Sequence, residues 1–201
     1  EIDRCEHGNY IRADGVRQER SDRLASSWKR LRVGWSDGGN IGLELALSHP
    51  EQVKKLVRFG ANYTHIDYEA PANKVKMDPD DPRLARTKAT VAEAKKSTPT
   101  LTPEVRKKLD DLMEKYPNLT TSDLAKIECP VLVVAGDHDA IRIEQTISLY
   151  RSLPHVQLWI VPGATQFGAM EQPEWVNREV KEFLSTPYRD ISTYYWLELV
   201  Q

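Results

Sequence analysis

Ser36 stands in the stretch Leu31-Arg32-Val33-Gly34-Trp35-Ser36-Asp37-Gly38-Gly39-Asn40-Ile41, with a glycine two residues to either side. A short apolar strand, a glycine-crowded turn with serine at its centre and an apolar helix together make the pattern of a nucleophile elbow. Such a turn forces the serine into strained backbone angles, and glycine at the flanking positions keeps β-carbons from crowding the strand and helix. The hydroxyl is thereby set at a helix N-terminus, where backbone N–H groups and the helix dipole favour negative charge. A serine hydroxyl is a poor nucleophile until a neighbouring base takes its proton, and that base needs an acid to orient it. Asp139 follows the apolar run Pro130-Val131-Leu132-Val133-Val134-Ala135-Gly136. A carboxylate in a loop beyond a buried strand can reach across towards a base.

The elements that must position these groups are legible in order. The helix after Ser36 is expected to bury Ile41, Leu45 and Leu47 and to stop at Ser48-His49-Pro50. Val53 to Gly60 reads as a strand. Residues 61–126 change character: six prolines from Pro71 to Pro117 punctuate helical runs, Leu84 to Lys95 and Pro103 to Lys115, the second with Val105, Leu109, Leu112 and Met113 as its apolar side. An insertion of this length between strands reads as a lid rather than a surface excursion. The sheet resumes at Val131 to Gly136, whose unbroken apolar run suits a strand covered on both faces. A helix from about Arg142 to Ser152 carries Ile143, Ile147 and Tyr150, and Val156 to Val161 is the last strand. A final amphipathic helix, Pro173 to Leu184, turns Val176, Val180 and Phe183 inward. Ahead of the elbow a helix is expected from Ser21, with Leu24, Trp28 and Leu31 at helical spacing, and the elbow strand itself is three or four residues long. Strands alternating with helices imply right-handed crossovers and a parallel sheet, in which functional groups collect beyond the strand C-termini. Ser36, Asp139 and Gln166 all stand at such ends.

Composition bounds what these elements serve. The chain has 201 residues and a formal net charge of −2 with acids and bases interspersed, which argues against a nucleic-acid surface. No apolar run approaches the length of a membrane span. Cys5 and Cys129 form neither a disulfide framework nor a metal spacing; Cys129, beside a very apolar strand, reads as a buried thiol, which fits a reducing cytosol and a cytoplasmic protein. No cofactor motif appears. The chain begins with glutamate rather than methionine and no signal peptide is read ahead of it, so it is expected to be either a processed chain or part of a longer one.

The elbow Gly34-Trp35-Ser36-Asp37-Gly38-Gly39, the strand Lys55 to Asn62, the acid loop Ala135-Gly136-Asp137-His138-Asp139 and the stretch Trp159-Ile160-Val161-Pro162-Gly163-Ala164 together resemble the α/β-hydrolase fold family, and within it serine esterases similar to valacyclovir hydrolase and its bacterial relatives. The resemblance covers roughly residues 30–185. It implies an α/β fold, with a mostly parallel sheet, helices on both faces, a core of residues 1–66 and 127–201 and a helical lid at 67–126. It also implies Ser36 as nucleophile, the backbone N–H of Asp37 as an oxyanion donor and Asp139 as the acid, ahead of Asp137 and Asp67. Asp137-His138-Asp139 also reads as an ordinary polar turn or, less readily, as part of a metal cluster.

Two departures from that family bear on activity. The Pro-Gly-Ala stretch leads in the family to the catalytic histidine; here the position is Gln166, and an amide is not basic near neutral pH. His138 adjoins the acid, His49 ends a helix, and His7, His65 and His155 fall in loops; none is a ready substitute. The family also places four strands before the elbow, where some thirty residues stand here. An elbow strand at an open edge would expose unpaired backbone and invite a second copy or a partner chain. The expected function is hydrolysis of a small carboxylic ester or amide through an acyl-serine, impaired at position 166. The alternative is a binding or receptor protein that keeps the pocket and has lost the base.

Overall fold

The structure is a computed structural model and describes residues 29–64, 78–98, 100–192 and 197–200. Four strands, β1 (Arg30–Trp35), β2 (Val53–Phe59), β3 (Val131–Gly136) and β4 (Val156–Val161), form one sheet in the order β1-β2-β3-β4. Every pairing is parallel, with Val33 opposite Val57, Val57 opposite Leu132 and Leu132 opposite Gln157. The helices between and after them are α1 (Asp37–Ser48), α2 (Pro82–Ser97), α3 (Pro103–Lys115), α4 (Thr121–Leu124), α5 (Ile143–Ser152), α6 (Gly168–Glu171) and α7 (Pro173–Ser185). This is an α/β fold with a parallel sheet, as the alternation of elements in the sequence requires.

The twofold alternation of the strands divides the interior into two layers. Leu56, Val131 and Val133 point to the side where Leu43 and Ala46 of α1, Leu124 of α4 and Leu149 of α5 complete one cluster. Val57, Phe59, Leu132 and Val134 point to the other, where Val176 and Phe183 of α7 cover them. Lys55 also points to that second side. Its buried ammonium donates to the carbonyls of Phe183 (2.6 Å), Leu184 (3.4 Å) and Thr186, so a strand side chain caps the last turn of α7.

Several expectations need correcting. The elbow strand has six residues, and Leu31 belongs to it rather than to a helix; residues 1–28, with the helix expected from Ser21, lie outside the described residues. Ile41 faces solvent at 62% exposure, and α1 buries Gly39, Asn40, Gly42, Leu43 and Ala46 instead. Counting apolar residues misplaced this face because two glycines and an asparagine occupy it, letting α1 lie close on β2: a β-carbon at Gly42 would stand 2.6 Å from a Leu56 methyl. Ile143 and Tyr150 are exposed on α5, whose buried face is Gln145, Thr146 and Leu149. On α3, Val105, Leu109, Leu112 and Met113 are all exposed. Cys129 is half-buried against the first cluster, and burial pushes its thiol up to about 11, so it stays protonated and unreactive at neutral pH.

Candidate active site

Ser36 joins β1 to α1 with φ 52° and ψ −125°, and among the described residues no other non-glycine has a positive φ. Strain of this kind persists only where the surroundings over-determine it. Here the Ser36 N–H donates to the Phe59 carbonyl at 2.9 Å, and the Ser36 carbonyl accepts from Gly39 at 2.8 Å. The flanking glycines divide their work unequally. A β-carbon on Gly34 would lie 2.2 Å from the Gly38 carbonyl oxygen, whereas one on Gly38 meets no described atom within 4 Å. Gly39 is the second crowded position, its β-carbon site 2.8 Å from that of Ala61. The expectation that both glycines two residues from the serine prevent crowding thus holds for Gly34 and not for Gly38.

Asp139 sits beyond β3 and is buried. Its carboxylate accepts from the backbone N–H of Ile141 at 3.0 Å and of Gly136 at 3.3 Å. Burial raises its pKa, while those N–H groups, that of Ala140 and the Arg58 guanidinium oppose the rise. Arg58 is fully buried on β2 and donates to the Asn62 carbonyl at 3.2 Å. Burial draws it down to about 9, against the pull of Asp139, which leaves it charged at neutral pH. Nothing in the residue pattern marks this cation as buried, since a lysine- or arginine-bearing strand normally turns its charge to solvent.

Gln166 follows β4, and its side chain reaches the elbow. Its amide nitrogen donates to Ser36 Oγ at 3.2 Å and to the Gly60 carbonyl at 3.0 Å. A carbonyl can only accept, so the group facing Gly60 must be the NH₂. The same geometry makes Ser36 Oγ an acceptor. Gly60, with φ +53°, is the floor on which the two loops meet: the point where its β-carbon would stand is 2.8 Å from Gln166 Cγ and 3.1 Å from Asp139 Oδ2. Ser36, Gln166 and Asp139 therefore converge around one glycine.

The loop holding Gln166 is tied down on its far side by residues that the sequence reading missed. Glu171, buried, accepts from Thr165 N–H at 2.9 Å and from Thr165 Oγ1 at 2.7 Å, and the same hydroxyl accepts from Phe167 N–H at 3.1 Å. Asp137 accepts from the Ala164 N–H at 3.2 Å, and His138 donates its own N–H to the Ala164 carbonyl at 3.0 Å. Asp137 thus braces the neighbouring loop. The His138 ring is exposed, His49 stands beside Glu51, and His155 beside Asp190 and Tyr188. His7, His65 and Asp67 lie outside the described residues. Behind the elbow, buried Asn40 donates to Asn62 at 3.0 Å, and Gln145 accepts from the Tyr63 N–H at 3.2 Å. Among the described residues no group of His, Cys, Asp and Glu could hold a metal ion, and no helix is long and apolar enough to cross a membrane.

No protein-family model matches the chain. It is 30% identical over 177 residues to a Caulobacter protein (strain K31) designated carbamate hydrolase RutD, over 76% of this chain and 64% of that one. Over 67 residues it is 37% identical to carboxylesterase YbfK of Bacillus subtilis, a match spanning 32% of this chain and 23% of that protein. Among solved structures, the meta-cleavage product hydrolase CumD of Pseudomonas fluorescens IP01 superposes with a TM-score of 0.60 at 21% identity, covering 90% of this chain and 74% of that one. The hydrolase BphD of Rhodococcus sp. strain RHA1 does so with 0.58 at 17%, covering 79% and 65%. The chain thus spans under two thirds of RutD and BphD. Sequential parallel strands, a strained serine at the first described strand-to-helix turn and these likenesses together show that the chain has the α/β-hydrolase fold.

Proposed function

We propose that the site is an acyl-transfer site for small carboxylic esters or amides in which an amide occupies the base position. Ser36 is the nucleophile, the Asp37 backbone N–H an oxyanion donor at the start of α1, and Asp139 the acid beneath position 166. The segment 67–126 acts as a lid. Support for the lid comes from Arg83, at the start of α2, which donates to the Gly163 carbonyl in the loop that carries Gln166, at 2.7 Å. The names of the relatives, a carboxylesterase and a carbamate hydrolase, agree on cleavage of an acyl group from oxygen or nitrogen.

The hydrogen bond from Gln166 Nε2 to Ser36 Oγ carries the reading. It puts the right position against the nucleophile with the wrong proton inventory: the amide offers a proton to Oγ and has no basic lone pair to receive one. Attack by Ser36 therefore lacks general-base help, which is worth on the order of 10²–10⁴ in rate. Gln166→His is expected to raise p-nitrophenyl ester hydrolysis by about that factor, and a fluorophosphonate probe followed by intact-mass measurement is expected to add one label at Ser36. If neither happens, the acyl-serine reading fails and the fold serves binding.

A further inference from the structure

We propose that Trp35 is the positioning residue for position 166, its indole N–H fastening the loop after β4 to the strand that carries the nucleophile. What is being positioned rests on the acyl-serine reading; the contact itself does not. β1 and β4 are the outer strands of the described sheet. At about 4.8 Å per strand they are roughly 14 Å apart, so the loop must cross the ends of β2 and β3 to meet Ser36. Among the described residues two hydrogen bonds join the elbow to that loop. One, from Gln166 Nε2 to Ser36 Oγ, depends on the side chain at 166. The other, from Trp35 Nε1 to the Gln166 backbone carbonyl at 2.7 Å, does not. It would hold the backbone of residue 166 in place whatever side chain stood there.

The Trp35 ring also meets the Phe167 ring, centroids 5.5 Å apart at 50°, so the indole holds the loop at the Gln166 carbonyl and again at the residue after it. Trp35 is 41% exposed and completes no described core cluster, which argues against a purely space-filling role. A reacting group misplaced by about 1 Å can lose two orders of magnitude in rate, so a tether one residue from the nucleophile has ample leverage.

The test uses Trp35→Phe, which keeps a ring against Phe167 and removes the donor, and 3-benzothienylalanine at position 35, which keeps the bicycle and lacks only the N–H. In a Gln166→His background with p-nitrophenyl acetate, either change is expected to lower kcat about tenfold with KM within twofold, and to shift the acid limb of the pH–kcat profile. Unchanged kcat and an unchanged profile overturn the proposal. If Gln166→His gives no ester hydrolysis, the acyl-serine reading falls instead. The tether is then read in the otherwise unaltered chain, where removing the indole N–H is expected to move the Gln166 side-chain amide resonances to free-amide values. Resonances that stay in place overturn it.

Discussion

The two ends of the sheet hold their half of the site by opposite means. At the β3–β4 end, the loops bearing Asp139 and Gln166 are laced to each other: Gly136 lets Ala164 come close, Asp137 and His138 bond to Ala164, and Glu171 clamps Thr165. At the β1 end, Ser36 is held by its own backbone, through Phe59, Gly39 and one crowded glycine, on a strand whose Leu31, Val33 and Trp35 are exposed. Nothing in the lacing depends on the chemistry of residue 166. Geometry around position 166 and the basicity of the side chain there are therefore separable, and with glutamine at 166 the chain has the first without the second.

Three substitutions would break or sharpen that contrast. The largest effect is expected for Gly136→Ala, whose β-carbon would lie 2.1 Å from the Ala164 carbonyl oxygen, backbone against backbone. Equilibrium urea unfolding should show a loss of about 3 kcal/mol, since neither loop can yield without losing its bonds. Glu171→Ala comes next. It leaves the Thr165 N–H and hydroxyl without their acceptor in a half-buried loop, for about 2 kcal/mol by the same measurement. Smallest, and opposite in sign, is Gly38→Ala at the other end. With no described atom near its β-carbon and a helical position, it should stabilise by about 0.5–1 kcal/mol through reduced unfolded-state freedom. A loss there would mean that the elbow is as tightly packed as the laced loops.

Most of the architecture could be read from the residues. The strand at Val131 to Gly136 is an unbroken apolar run, and Pro103 to Lys115 is bounded by a Thr102 cap and a first-turn proline. Short elements escaped: α4 and α6 have four residues each, too few to show a period. Helix faces were misjudged where small or polar residues pack inward, as with Gly39, Asn40 and Gly42 on α1 and with Gln145 and Thr146 on α5. There the burial is decided by partners far along the chain, such as Asn62 for Asn40 and Tyr63 for Gln145. The same holds at the site. The positions of Ser36, Asp139 and Gln166 follow from motif and strand ends. The buried charges of Lys55, Arg58 and Glu171 do not, because a lone charged letter in a strand or helix ordinarily marks its wet side.

The strand order has a consequence for how such a site comes into being. Each described strand pairs with the one made just before it, so a chain emerging from its N-terminal side always delivers the next strand to an edge already standing. Crossovers stay between neighbours, and the closure entropy of each step is modest. The serine is seated first and the loop bearing Gln166 arrives last, behind β4. Ser36, Asp139 and Gln166 thus come together only once the fourth described strand has docked.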